Sequence, residues 1–246
     1  MSHPTASQPS PVREWQISSA RLTLLQTPGR PVALKWEDLF DEEPPNRNAQ
    51  GPVITEFGPF ETVQLVVQTR PGRADLVLTP GPAGAAMEIP TLGRFPGSTE
   101  LFNKRIVEWA EKFPPVLRLA FGAQLFMPAS SVEEANSLLE EIIGIPGLKL
   151  EHVRDFLLQT NVPRESTAEA GGRINRLTKL LAQQLRTFDI TNSGVQLGAV
   201  AMAAGMELDI STSEERVQDM PAQLVRPLLE ELLNTAADLA AAGPNL

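Results

Sequence analysis

Arg70-Pro71-Gly72-Arg73 lies between two β-rich runs, residues 63–69 (VQLVVQT) and 74–79 (ADLVLT), and commits this chain to antiparallel sheet. Proline presets φ at the second turn position and glycine accepts positive φ at the third, which is what a type II turn asks for. The β-branched content on both sides completes the hairpin signal. Few other local patterns restrict topology as tightly.

Around that hairpin the chain reads as strands bunched between well-punctuated helices. Residues 15–27 suit a strand with Ile17, Leu22 and Leu24 available for burial. In residues 116–127, Leu117, Leu119, Phe121, Ala123 and Leu125 alternate with Arg118, Ala120, Gly122 and Gln124, the pattern of a strand with one buried face. Residues 98–113 read as a helix capped by Ser98, with Phe102, Ile106, Trp109, Ala110 and Phe113 on one side and Pro114-Pro115 ending it. Ser131 and Glu134 form a capping box for a second helix, whose apolar positions are Ala135, Leu138, Leu139 and Ile142 and whose stop is Gly144 with Pro146. A third amphipathic helix opens at Asp219-Met220-Pro221, carries Leu228, Leu229, Leu232, Leu233, Ala236 and Leu239, and finishes at Gly243-Pro244. Pro227 either kinks it or marks its true first turn.

Residues 153–160 fit a strand. Residues 174–188 carry Ile174, Leu177, Leu181 and Phe188 at helical spacing, yet the turn at 189–194 and the strand-like run 195–210 favour a long hairpin. Strand and helix both stay open there. Residues 37–52, with five acids and no base as far as Glu43 and a break at Pro44-Pro45, read as an acidic surface loop. The expected fold is therefore α+β: a mainly antiparallel sheet built from hairpins, with three amphipathic helices packed on it. One domain is expected over 13–246 behind a Pro/Ser-rich tail at 1–12. Each half holds a hairpin followed by a helix (63–80 then 98–113, 177–210 then 220–241), so 13–128 and 129–246 are candidate similar halves.

Composition limits the chemistry. There is no cysteine, no tyrosine and only two histidines, His3 in the tail and His152 in the body. Nucleophilic, general-base and transition-metal sites draw heavily on those types. Hydrophobic content of 42% and charged content of 21% belong to a globular chain rather than a disordered one. A net charge of −9 repels a phosphate backbone, so nucleic acid is not an expected partner. No run approaches the ~20 apolar residues of a membrane span, and the start lacks the pattern of a secretory signal. The expected location is the cytoplasm, and no cofactor is expected.

Few constellations remain. Glu207 and Asp209 would share a face of one strand and, with Asp189, offer oxygens to a hard cation, though no histidine pair supplies a metal-ligand spacing; no metal site is expected. Ser130 and Ser131 are accounted for by capping, and no G-x-S-x-G elbow exists, so no catalytic residue is assigned. Gly171-Gly172-Arg173-Ile174-Asn175-Arg176 combines a flexible backbone with two guanidinium groups, the makings of an anion nest. Residues 164–186 hold five bases and two acids, a sustained positive stretch in an acidic protein. Against this, residues 207–238 hold eight acids and two bases, so these arginines have structural partners to hand.

The segments 155–166 (DFLLQTNVPRES) and 173–179 (RINRLTK), with Glu207-Leu208-Asp209-Ile210-Ser211-Thr212 before the last helix, resemble a sporadically distributed bacterial family of uncharacterised proteins. The resemblance spans roughly residues 95–240. It implies an α+β fold and no activity, and it singles out Asn161, Arg164, Asn175 and Arg176. The family's Ile-Asn-Arg-Pro-Arg form is replaced here by Thr160-Asn161-Val162-Pro163-Arg164. The leading functional expectation is a non-catalytic accessory or interaction subunit of a bacterial assembly, bound to a protein partner or to itself. A small-anion or nucleotide site at Asn161, Arg164, Arg173, Asn175 and Arg176 is the alternative, and a carboxylate-dependent hydrolase a second one.

Overall fold

A computed structural model describes residues 14–27, 34–81, 89–191 and 194–244; the tail expected at 1–12 lies outside them. The expected Pro-Gly hairpin is present as β4 (Val63–Arg70) and β5 (Arg73–Pro80), with Gly72 at φ +77° in the turn. β1 (Gln16–Leu25) pairs with β5 on one side and with β7 (Arg118–Ala129) on the other. The ambiguous region is a strand. β10 (Arg173–Thr191) and β11 (Gly194–Thr212), 19 residues each, form a long hairpin, and β8 (Leu157–Asn161) flanks β10. With β2 (Asn46–Gln50) and β3 (Val53–Phe60) the sheet runs β2-β3-β4-β5-β1-β7-β11-β10-β8, antiparallel throughout; two-residue strands β6 (Gly93–Arg94) and β9 (Arg164–Glu165) attach to β1 and β10.

Outward from the central β1–β7 pair the order is β5, β4, β3 on one side and β11, β10, β8 on the other. One sheet carries both sides. The boundary expected at 128/129 lies inside β7.

Helices cover one face of this sheet. There are four α-helices among the described residues, not three: α1 (Trp36–Phe40), α2 (Glu100–Glu108), α3 (Val132–Ile143) and α4 (Ala222–Ala242). The core is filled by one side of each central strand (Leu22, Leu24, Phe121, Leu125, Met206, Leu208) against Ile106 of α2, Leu139 of α3, and Leu228, Leu232 and Ala236 of α4. Burial of these apolar faces is the main favourable term in holding the layers together. Pro227 is the sixth residue of α4, in its second turn, where its missing N–H costs one hydrogen bond.

Two local expectations need correction, and one strand had no expectation. The acidic loop is instead α1 and β2. Trp36 and Leu39 are buried, Trp36 stacks on Phe40 at 4.2 Å between ring centroids, and Phe40 meets Trp109 at 5.1 Å. An aromatic anchor thus pulls a helical turn out of an acid-rich run. The Trp36 amide donates to the buried Glu56 carboxylate at 2.7 Å. β3 gave no strand signal because Gly58-Pro59 interrupts it. Gly58 is required there: a Cβ would lie 2.7 Å from Pro45 and 3.0 Å from the Trp36 ring. Finally, the helix at 98–113 divides into a 3-10 turn (Gly97–Thr99), α2 and a second 3-10 turn (Trp109–Lys112), so Ser98 lies in the first turn and does not cap.

The second helix matches its signal. The Ser131 hydroxyl accepts from the Glu134 amide at 3.2 Å, and Glu134 reaches back to the Ser130 amide at 2.7 Å, one residue further than a capping box would place it. Hydrogen bonds from the Ser130 hydroxyl and amide hold the Glu134 carboxyl below its ordinary pKa. Ser131→Ala should lower stability by about 1 kcal/mol, read as a shift of roughly 2–4 °C in thermal unfolding.

Candidate functional site

Strand alternation divides the five residues of the expected anion site between two faces. Arg164, paired with Ile174 on β10, points to the helices, as does Arg176 two residues along. Arg173 and Asn175 take the opposite, open face. Asn161 turns back to accept the Arg176 amide at 3.0 Å, while the Arg176 guanidinium donates to the Val162 carbonyl at 2.8 Å. Burial, and then the nearby Arg164 charge, push the Arg176 pKa down. Arg164 and Arg176 are therefore neighbours; Arg173 and Asn175 are not with them.

Glu231 of α4, which sequence reasoning passed over, organises this corner. Its side chain is 4% exposed and accepts from Arg164 at 3.3 Å, the Ser166 hydroxyl at 2.6 Å, and the Thr167 and Ala168 amides at 2.9 and 3.2 Å. Arg164 also donates to Thr235 at 2.6 Å. Burial alone would raise the Glu231 pKa; the Ser166 hydroxyl and the two amides outweigh it and hold the carboxyl below its ordinary value. The loop ahead of β10 closes on itself, with the Ser166 amide donating to Gly172 and the Gly172 amide to Glu169. The amides gathered beside the glycines therefore hold an anion that belongs to the protein. A sequence signal existed: Glu231 falls on the apolar stripe with Leu228, Leu232 and Thr235, where an acid must find partners.

The long hairpin is the least ordinary surface. β7 pairs with residues 202–211 of β11, and β8 with residues 177–181 of β10. Beyond those limits, residues 182–191 and 194–201 pair with each other alone among the described residues. Among the described residues, neither outer edge of this two-stranded arm has a strand partner. Residues 190–206 contain no charged side chain, and Val200 is 54% exposed. The sheet's terminal strand β2, by contrast, is five residues long, exposed throughout, and polar at all positions but Ala49, the usual defence against strand addition. The arm lacks that defence along β11.

Two further hollows carry polar groups, besides one of about 380 Å³ lined by Glu169, Gly171, Gly172, Arg173, Ser213 and Arg216 at the start of β10. One, of about 680 Å³, is lined by Glu133, Glu151, His152, Arg154 and Asp155 beside the base of the arm. The other, of about 420 Å³, lies on the open face over Gly122. Glu207 and Asp209 do share that face, and Lys179 neutralises Glu207 at 2.6 Å. Among the described residues no group of three or more His, Asp or Glu is placed to hold a metal ion; the Asp189 side chain lies outside them. No described helix is long and apolar enough to cross a membrane. No protein-family model, curated protein or solved structure matches the chain.

Proposed function

We propose that the chain is a non-catalytic interaction subunit of the bacterial cytoplasm that joins a second copy of itself by strand addition along the β10–β11 arm. The observation that carries this reading is the arm's pair of open edges. An isolated two-stranded ribbon is marginal in water, and a further strand supplies both hydrogen bonds and cover. A second copy suits the β11 edge because antiparallel self-pairing is two-fold symmetric, and an uncharged stretch opposes no like charges when it meets itself. The rest of a chain with net charge −9 repels its copy, which favours contact at this uncharged arm.

The same reading takes the two sides of the sheet as copies of one unit, each running strand, helix, antiparallel meander, helix, the meander having four strands (β2 to β5) on the first side and three (β8, β10, β11) on the second. The division then falls between Lys112 and Arg118, ahead of β7.

Light scattering on a sizing column tests the interaction. The wild-type chain should show a mass near twice 26.7 kDa. Arg186 and Val200 are cross-strand partners, so replacing residues 187–199 by Asn-Gly closes the shortened arm with a two-residue turn. That variant should be monomeric with an unchanged melting temperature, and Val200→Lys should weaken the dimer. A monomeric wild type, or a dimer indifferent to both changes, rejects the reading.

A further inference from the structure

We propose that the hollow over Gly122, on the open face of the sheet, binds a free apolar α-amino acid. The register brings one row of side chains together across five strands: Val77, Arg21, Gly122, Asp209 and Leu177. Gly122 has no side chain, so the Arg21 guanidinium leans across β7 towards β11. The point a Cβ would occupy lies 3.6 Å from Arg21 Nη2 and 3.9 Å from Nε.

Arg21 nevertheless forms no ion pair among the described residues, and neither does Asp209. The adjacent row is already balanced, because Lys179 donates to Glu207 at 2.6 Å. One positive and one negative group without an ion-pair partner among the described residues thus line a hollow of about 420 Å³. A ligand with net charge would satisfy one and be repelled by the other. A zwitterion satisfies both: its carboxylate faces Arg21 and its ammonium faces Asp209. Val77 and Leu177 flank the two charges and offer apolar contact to the ligand's side chain.

The experiment is calorimetric titration of the full chain with leucine, isoamylamine and isocaproate, the last two lacking the carboxylate and the ammonium respectively. Leucine should bind, and each half-ligand should bind roughly ten- to hundredfold more weakly, as expected for loss of a charge-assisted contact. Arg21→Gln and Asp209→Asn should each reduce leucine affinity by the same factor. Arg21 is exposed and Asp209 half-buried, neither in an ion pair among the described residues, and the variants should melt with the wild type. Absence of heat with leucine at millimolar concentration overturns the proposal, as does equal affinity for leucine and isoamylamine, or binding that survives both substitutions. The shortened-arm variant should bind leucine unchanged, so this test stands apart from that of self-association.

Discussion

Glu231→Gln should lower the melting temperature by roughly 6–12 °C, from a loss of about 3 kcal/mol. The carboxylate is acceptor to four donors: Arg164, the Ser166 hydroxyl and the amides of Thr167 and Ala168. A glutamine keeps the shape but turns an NH₂ group towards donors, and it leaves Arg164 without its counter-ion. Because Arg164 is 36% exposed, water screens part of that loss, which keeps the cost near the lower end for broken buried pairs. Arg164→Ala should cost less, about 1–2 kcal/mol, since three donors to Glu231 survive.

The pH dependence has a definite direction. The Glu231 carboxyl is held below its ordinary value when folded, so the unfolded chain takes up its proton first on acidification. Its contribution is fully present above the unfolded value of about 4.3 and disappears as pH falls through the folded one. The stability gap between wild type and Glu231→Gln should therefore be widest near neutrality and narrow below about pH 4. Denaturant titrations across that range read it directly; a gap that widens in acid would remove Glu231 from this role.

Trp15→Ala should cost about 3–5 kcal/mol, seen as a fall of roughly 6–20 °C in melting temperature. Trp15 is 1% exposed, and its indole N–H donates to the Ala240 carbonyl in the last turn of α4 at 2.8 Å. That contact joins the beginning of the sheet to the final helix, 225 residues apart in sequence. The alanine variant opens a cavity and orphans a buried carbonyl at a helix end, two separate penalties. Trp15→Phe divides them: it keeps most of the packing, loses the hydrogen bond, and should cost about 1–2 kcal/mol. Amide exchange in α4 should rise in both variants, with the larger change in alanine.

Elements with local signals were legible. The Pro-Gly hairpin, the alternating β7 and the capped α3 each announce themselves within a dozen residues, because turn chemistry, side-chain alternation and cap bonding are all short-range. α1 and β2 were missed for complementary reasons. α1 is too short to show a period and is held by Trp36 and Phe40 against distant aromatics. β2 is polar except at Ala49 and becomes a strand only because β3 offers it an edge. The arginine-rich segment shows how adjacency misleads. Arg173 and Arg176 are three residues apart, but along a strand an odd separation puts two side chains on opposite faces. Had the segment been the helix its spacing also allowed, they would have shared one.

The amino-acid order alone determined that hairpins would build an antiparallel sheet, where α3 would start and stop, and that few conventional catalytic side chains were at hand. Tertiary structure decided which strands became neighbours. β1 meets β7 across about a hundred residues, with Ser19 and Gln124 bonded side chain to side chain, and no local preference encodes that choice. It follows from burying every apolar face at once, and the same global solution seats Glu231 among loop amides, sets Arg21 over Gly122, and carries the long hairpin past its neighbours.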